Sequence, residues 1–282
     1  MANTIGYGQG AVNNTNGFGK APTNNTIDFG EVCADSWSPE TNLTGTGGSS
    51  FSNTYSTEYD GIDAHITTDS TYSELDGQNK MTLSLWMKPI SGAPLYEYVV
   101  TVPRNSTANE HVFSFQHYEN TYLSFSIDSR TTRSVQANIS SITYGSWNHI
   151  MCVLDATLSG NDRMKIYVNG IDETYQFNIG TFTSLQNSTG ALFIGEEPQL
   201  AYNPYKGLLD EVAIWAGQDL RNDVATIYNS GVPNNLNDNG LTAPTSWYRF
   251  EEGSGNTITD SGSSTNNATI QNSVTFETDV PT

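Results

Sequence analysis

Basic residues are scarce in this sequence, and so is charge in general. Its 282 residues include 11 Lys and Arg against 30 Asp and Glu, which gives a formal net charge of −19. Proteins that hold nucleic acid cluster Lys and Arg against the phosphates, so the composition argues against a nucleic-acid partner. Charged residues make up 15 % of the chain, against roughly 25 % in an average domain. Small uncharged side chains therefore supply much of the polarity.

Long apolar runs and cysteines are few as well. No stretch approaches the roughly 18 apolar residues that a transmembrane helix needs, and residues 1–10 lack the basic and apolar regions of a secretory signal. We therefore expect no membrane insertion and no standard signal peptide. Cys33 and Cys152 lie 119 positions apart, so free buried thiols are expected, with a single bridge as the alternative. Aromatic residues are present at 11 %, enough to build a core.

The first 50 residues differ in composition from the rest. Aromatic residues that are each followed by glycine recur there every 11 positions, at Tyr7, Phe18 and Phe29, with Asn-Asn-Thr triplets between them. Such a segment cannot bury enough apolar area to fold alone, but each ring can bury about 150 Å² on a partner. We interpret residues 1–50 as an extended docking arm and linker. A disordered low-complexity tail is the alternative.

Period-two patterns dominate residues 51–282 and predict β-strands. Met81, Leu83, Leu85 and Met87 fall on one face of such a strand, and the apolar run over 147–154 predicts a buried one, with His149 as a hydrogen-bonded core residue. Asn169-Gly170 between two strand-like runs predicts a type I′ hairpin, because both turn positions need positive φ.

Helical periodicity occurs at one place only. Leu220, Val224, Ile227 and Tyr228 share a helical face, and we expect Asp219 to cap the start and Gly231 to end the helix. One short helix among about a dozen strands predicts an all-β sandwich. Residues 51–282 contain no internal boundary and are interpreted as one domain.

The strands also carry a recognisable series of motifs. This series resembles the laminin G-like branch of the concanavalin A-like lectin and glucanase family, in six segments in the right order: EYDGID at 58–63, LSLWMKP at 83–89, GSWNH at 145–149, KIYVNG at 165–170, LFIG at 192–195 and YKGLLDEVAIW at 205–215. The resemblance implies a jelly roll of two antiparallel sheets packed face to face.

The C-terminal segment resembles the same family at an unusual place. The motif WYRFEEGSG at 247–255 precedes the first strand in family members. Here it stands at the end of the sequence. We expect it to close the same jelly roll, because a lone strand would leave an unpaired edge. A truncated second copy is the alternative.

The family includes glycosidases, so a catalytic pair has to be considered. Retaining glucanases of this fold carry E-x-D-x-x-E, which places two carboxylates about 5–5.5 Å apart. The nearest match, Glu58, Asp60 and Asp63, ends in Asp and is interrupted by Gly61, so we expect no enzyme. The resemblance also implies a structural calcium ion at Asp60, Asp63 and Asp210, for which turn-forming carboxylates are the alternative.

Two loops have the composition of sugar-binding sites, in which aromatic rings stack on the sugar and amide or carboxylate groups bind its hydroxyls. One offers Tyr202, Asn203 and Tyr205. The other contains Tyr118, Asn120 and Tyr122. Packing inside the fold is the alternative for each.

The arm resembles a narrower group, the virion proteins of tailed phages from marine samples. The sequence therefore predicts a non-enzymatic virion surface protein, of capsid-decoration or fibre type, with the arm docking on other virion proteins or on copies of itself. The jelly roll would face solvent, where it can touch host cell-surface glycans. The alternative is a stand-alone carbohydrate-binding module of an exported bacterial protein.

Overall fold

The computed structural model describes residues 51–282 apart from 93–95, 105–109, 129–132, 197–202 and 239. The predicted arm with Tyr7, Phe18 and Phe29 lies outside these residues. So do Cys33 and Tyr202.

The described residues form seventeen strands, one α-helix and three 3-10 helices. The strands are β1 Ser56–Asp60, β2 His65–Thr68, β3 Lys80–Pro89, β4 Glu97–Pro103, β5 His111–Tyr118, β6 Tyr122–Asp128, β7 Arg133–Asn138, β8 Asn148–Asp155, β9 Met164–Val168, β10 Ile171–Asp172, β11 Thr174–Ile179, β12 Phe193–Ile194, β13 Lys206–Ala216, β14 Ser246–Tyr248, β15 Thr257–Ile258, β16 Ala268–Gln271 and β17 Thr275–Glu277. The helix α1 is Val224–Tyr228, and the 3-10 helices are Ile139–Ser141, Gly160–Arg163 and Asn229–Gly231.

The strands form two antiparallel sheets, as the sequence predicts. The first sheet has eight strands in the order β10-β9-β8-β3-β13-β1-β17, with β14 also paired to β13. The second sheet has nine strands in the order β11-β7-β6-β5-β4-β12-β2-β16-β15. One apolar core fills the space between them, so the prediction of a jelly-roll sandwich is confirmed.

The strongest local predictions are confirmed. The strand predicted over 81–87 is β3, and it pairs with β8 and β13 in the middle of the first sheet. Asn169 and Gly170 have φ of 49° and 82°, the positive values that a type I′ hairpin requires. Cys152 in β8 is a free, buried thiol, and burial raises its pKa.

The helix is shorter than its periodicity predicts. It begins after Asp223 rather than after Asp219, whose carboxylate instead accepts hydrogen bonds from the backbone and guanidinium of Arg221. It ends at Asn229, which takes up the left-handed conformation expected at Gly231. The prediction of both helix ends was therefore wrong by several residues, because an Asx-type turn takes the place of the first turn.

The strand at the LFIG motif, residues 192–195, is also short. It is limited to Phe193–Ile194, and Gly195 leaves the extended conformation with φ of 93°. A Cβ atom at Gly195 would lie 2.4 Å from the ring of Tyr59, so the close approach of that ring requires glycine here.

The C-terminal segment closes the same sandwich. Strand β14 pairs with β13 in the first sheet, β17 pairs with β1, and β16 pairs with β2 in the second sheet. Trp247 and Tyr248 of the WYRFEEGSG motif are buried. The prediction of closure is therefore confirmed. In the part of the chain that is described, no helix has the length and apolar character needed to cross a bilayer.

Candidate functional site

The outer face of the second sheet is lined by uncharged polar side chains. In β5, Phe113 and Phe115 belong to the core, so Ser114 and Gln116 alternate with them and point to the outer face. The register places Thr101, Ser114, Ser126 and Ser134 side by side across four strands. These side chains are buried, and the Gln116 Nε2 atom has no hydrogen-bond partner among the described residues.

A row of tyrosines borders this polar face at one end. The rings of Tyr96 and Tyr118 stack with centroids 5.3 Å apart, and those of Tyr118 and Tyr122 stack at 4.3 Å. All three are half-buried, and Asn120 between the last two is exposed. We call Tyr96, Tyr118 and Tyr122 the tyrosine row. The middle of the face is buried, so the row is a partly exposed end of it.

The second predicted loop reaches the same place. The backbone N–H of Tyr98 donates to the carbonyl of Asn203 at 3.0 Å, and Tyr98 forms an isolated parallel bridge with Pro204. On its other side Tyr98 pairs with Gln116 of β5. The structure therefore brings together the two loops that the sequence could only treat as separate candidates.

Tyr205 requires a correction, because it is not available to a ligand. The structure places it in the core with no exposed surface, where its ring packs edge-on against Tyr59 at 5.9 Å. Asn203 adopts a left-handed conformation with φ of 69°, which turns the chain inward before β13. The Tyr205 hydroxyl donates to the carbonyl of Leu208.

A buried Glu–His pair lies directly beneath the tyrosine row. Glu97 and His117 both have 0 % side-chain exposure, and Glu97 Oε2 lies 2.5 Å from His117 Nδ1. The other imidazole nitrogen, Nε2, lies 3.0 Å from the hydroxyl of Tyr144, which accepts a hydrogen bond from the backbone of Asn120. Glu97 Oε1 accepts the backbone N–H of Lys206 at 2.7 Å. Tyr144 is half-buried. We call Glu97, His117 and Tyr144 the buried relay, after its two buried members.

Burial determines the electrostatics of this relay. Burial raises the pKa of Glu97 above its usual range, and the hydrogen bond from His117 opposes that change. Burial also raises the pKa of Tyr144. Sequence reasoning missed the relay, although a single carboxylate in the apolar strand β4 was a visible signal, since such residues are buried only with partners.

The predicted calcium ligands do not form one group. Asp60 is the register partner of Lys206, and Thr57 that of Leu209, so Asp210 lies about 13 Å from Asp60 along the strands. Among the residues that the structure describes, no group of three or more His, Cys, Asp or Glu side chains is arranged to hold a metal. Asp60 Oδ1 instead accepts the backbone N–H groups of residues 62–64 at 2.8–3.3 Å.

Asp210 belongs to a different cluster, which the sequence did not indicate. It is buried beside Glu211, whose φ of 51° marks a bulge in β13. Glu211 accepts hydrogen bonds from Trp247 Nε1 at 2.6 Å and from Arg249 Nε at 3.2 Å, while Asp210 accepts one from Asn53. Burial and mutual repulsion raise the pKa of Asp210, and burial raises that of Glu211.

His149 is the hydrogen-bonded core histidine that the sequence predicts. Its Nε2 lies 2.8 Å from the Ser84 hydroxyl, and burial lowers its pKa to about 3. The pair lies beneath α1, where the rings of Trp86 and Tyr228 stack at 6.1 Å. Both residues of this Ser–His pair are buried, with exposures of 3 % and 1 %.

The first two of the following solved structures confirm the fold. A candidate carbohydrate-binding protein from Bacteroides ovatus is 14 % identical, with a TM-score of 0.56 over 82 % of this chain and 62 % of that protein. The extracellular region of zebrafish Gpr126/Adgrg6 is 12 % identical, with a TM-score of 0.50 over 81 % of this chain and 26 % of that one. A heptameric SAP-like pentraxin from Limulus polyphemus is 18 % identical, with a TM-score of 0.47 over 62 % and 82 % of the two chains.

A match to a family model identifies the family of this chain. No curated protein matches the chain, but a laminin G type family model matches residues 60–225. That span contains most of both sheets, the tyrosine row and the buried relay. The chain belongs to the concanavalin A-like lectin/glucanases superfamily.

Proposed function

We propose that this chain is a non-enzymatic glycan-binding protein, and that the tyrosine row is the centre of its binding site. The observation that supports the proposal is that β4 is flanked by both loops at one end of the polar sheet face: Tyr98 pairs with Gln116, two residues before Tyr118, and its backbone N–H donates to the carbonyl of Asn203. Sugar rings stack on aromatic side chains, and amides bind their hydroxyls. The fold is that of carbohydrate-binding domains, which agrees with this function.

The proposal extends to the place where the protein acts. The regular spacing of three aromatic residues that are each followed by glycine, Tyr7, Phe18 and Phe29, favours an arm that docks on a repeating partner surface. We therefore propose a virion surface protein of a tailed phage, held by its arm to other virion proteins or to copies of itself, with the jelly roll contacting host cell-surface glycans.

Structural calcium remains a proposal for Asp60 and Asp63. These residues lie at the turn after β1, and the side chain of Asp63 is exposed. Isothermal titration of calcium into the full chain tests it, with Asp63→Asn as the variant. Binding that is lost in the variant supports the ion, and equal heats in both proteins reject it.

A glycan array tests the binding function. The full chain is expected to bind a defined set of glycans saturably, and Tyr118→Ala and Tyr122→Ala are expected to weaken binding at least about tenfold, the equivalent of about 1.4 kcal/mol. Tyr167→Ala is the matched control, because Tyr167 is also half-buried but lies in β9 of the first sheet. Absence of binding by the full chain, or equal loss in the control, contradicts the proposal.

Light scattering on a sizing column tests the arm. The full chain is compared with the same chain carrying Tyr7→Ser, Phe18→Ser and Phe29→Ser together. A defined oligomer that dissociates in the variant supports self-assembly through the arm. If both proteins are monomers, self-assembly is rejected and the stand-alone carbohydrate-binding module becomes the favoured alternative.

A further inference from the structure

We propose that the buried relay of Glu97, His117 and Tyr144 is a positioning device that couples the two loops of the binding site. This inference rests on the proposed glycan-binding function, because it assigns a role to residues that do not themselves contact the ligand. The coupling itself is a property of the protein and can be measured without a glycan.

Hydrogen bonds through the relay connect the two loops. The Asn120 backbone, at the tip of the β5–β6 hairpin, donates to the Tyr144 hydroxyl at 3.0 Å, and Tyr144 pairs with His117 Nε2 at 3.0 Å. His117 Nδ1 pairs with Glu97 Oε2, and Glu97 Oε1 accepts the Lys206 N–H at 2.7 Å. A continuous chain of four hydrogen bonds therefore joins the hairpin tip to the end of the loop that carries Asn203.

The imidazole and the carboxylate of the relay have hydrogen-bond partners for all their polar atoms. A neutral His117 can donate from Nδ1 to Glu97 and accept at Nε2 from the Tyr144 hydroxyl, whose oxygen then accepts from Asn120. Both imidazole nitrogens and both carboxylate oxygens have partners. A buried network that is fully satisfied holds its members in one geometry, whereas breaking one link leaves a buried polar group unpaired.

The relay joins the two sheets of the sandwich. Glu97 lies in β4 of the second sheet, while Lys206 begins β13 of the first sheet. Glu97 is also flanked by Tyr96 of the tyrosine row and by Tyr98, which contacts Asn203. The relay therefore links the two sheets, and it lies beside both loops. A shift at one loop is thus transmitted to the other.

The charged neighbours do not provide an alternative partner. Glu119 is the other carboxylate that influences Glu97, and it accepts the backbone N–H of Gly92. The hydroxyl of Tyr205 donates to Leu208. The described contacts of Glu97 thus remain within the relay and the Lys206 backbone.

Amide hydrogen exchange resolved by NMR tests the coupling in the full chain. Tyr144→Phe removes one hydroxyl and keeps the ring. We expect exchange to accelerate about fivefold, the effect of losing one net hydrogen bond of about 1 kcal/mol, at the Asn120 amide and also at the Lys206 amide. The hydrogen-bonded path from Tyr144 to the Lys206 amide runs through His117 and Glu97, so a role confined to the hairpin tip does not predict the second change.

Two further variants complete the test. Tyr248→Phe is the matched control, because its buried hydroxyl donates to the Asn266 carbonyl away from the site; it should leave the Lys206 amide unchanged. Glu97→Gln keeps an acceptor for Lys206 and an amide donor for the other His117 tautomer, so it should retain most of the coupling that Glu97→Ala loses.

The outcomes separate this inference from the proposed function. Acceleration confined to Asn120, or the same acceleration at Lys206 in Tyr248→Phe, overturns the coupling. If coupling is found, Tyr144→Phe should also weaken binding on the glycan array about fivefold while Tyr248→Phe does not. An array on which the full chain binds nothing rejects the glycan-binding function and leaves the exchange result to decide the coupling alone.

Discussion

The backbone N–H of Tyr98 donates to the carbonyl of Asn203 at 3.0 Å, and this bond joins strand β4 to a loop that lies far away in the sequence. Tyr98 pairs on its other side with Gln116, two residues before Tyr118. Strand β4 thus lies between the hairpin that contains Tyr118 and the loop that contains Asn203, at one end of the second sheet. The binding site that we propose depends on this arrangement.

Tyr205 and Tyr118 should respond differently to truncation. Tyr205→Ala removes a ring with no exposed surface and should lower the free energy of unfolding by about 3–5 kcal/mol, as for other large aromatic residues in a core. Tyr118→Ala should lower it by less than about 2 kcal/mol, because Tyr118 is only half-buried. Urea unfolding of both variants checks this. Similar losses would mean that Tyr118 is a core residue.

His149 should make the protein sensitive to acid. Burial lowers its pKa to about 3 in the folded state, against about 6.5 in the unfolded chain. The unfolded state therefore binds more protons below pH 6.5, and the stability contributed above that pH is lost as the pH falls. Between pH 7.5 and pH 5 the free energy of unfolding of the wild type should fall by about 2 kcal/mol more than that of His149→Asn. Urea unfolding at each pH measures both. Parallel curves would contradict the shift.

The Asp210–Glu211 pair should have the opposite effect at alkaline pH. Burial raises the pKa of Asp210, so its stabilising contribution is present below the ordinary carboxyl range and lost as the pH rises through the folded-state pKa. Asp210→Asn removes one buried charge. The new amide can bond Asn53, whose buried Oδ1 has no partner among the described residues. From pH 5 to pH 9 the variant should lose less free energy of unfolding than the wild type, measured by urea unfolding at each pH; an equal or larger loss would contradict the account.

Two glycine substitutions should separate steric clash from backbone strain. Gly195 and Gly77 both have positive φ, 93° and 68°, but an added Cβ meets the Tyr59 ring at 2.4 Å only at Gly195 and nothing within 4 Å at Gly77. Gly77→Ala should cost about 1 kcal/mol of stability. Gly195→Ala should cost about 1–3 kcal/mol more because the core must shift. Thermal unfolding of both variants measures the difference, and equal losses would contradict the close contact.

Local patterns made the fold predictable, whereas the site depended on contacts that the sequence does not show. The Asn169-Gly170 turn and the alternation in β3 are encoded by neighbouring residues, so both were predicted. The burial of Tyr205 results from a left-handed turn at Asn203 and from Tyr59 of another strand, so the same loop composition gave a wrong expectation. Glu97 bonds Lys206 across 109 positions, and no local pattern reports such a contact.

Chemical-shift mapping with a glycan selected from the array tests the central claim most directly. The full chain, labelled with ¹⁵N, is titrated with the free oligosaccharide. We predict saturable shifts concentrated at residues 96–98, 118–122 and 203, with residues of β9 and β10 in the first sheet unchanged. Shifts concentrated in the first sheet, or saturable binding that leaves the tyrosine row unperturbed, would show that this sheet end is not the glycan site.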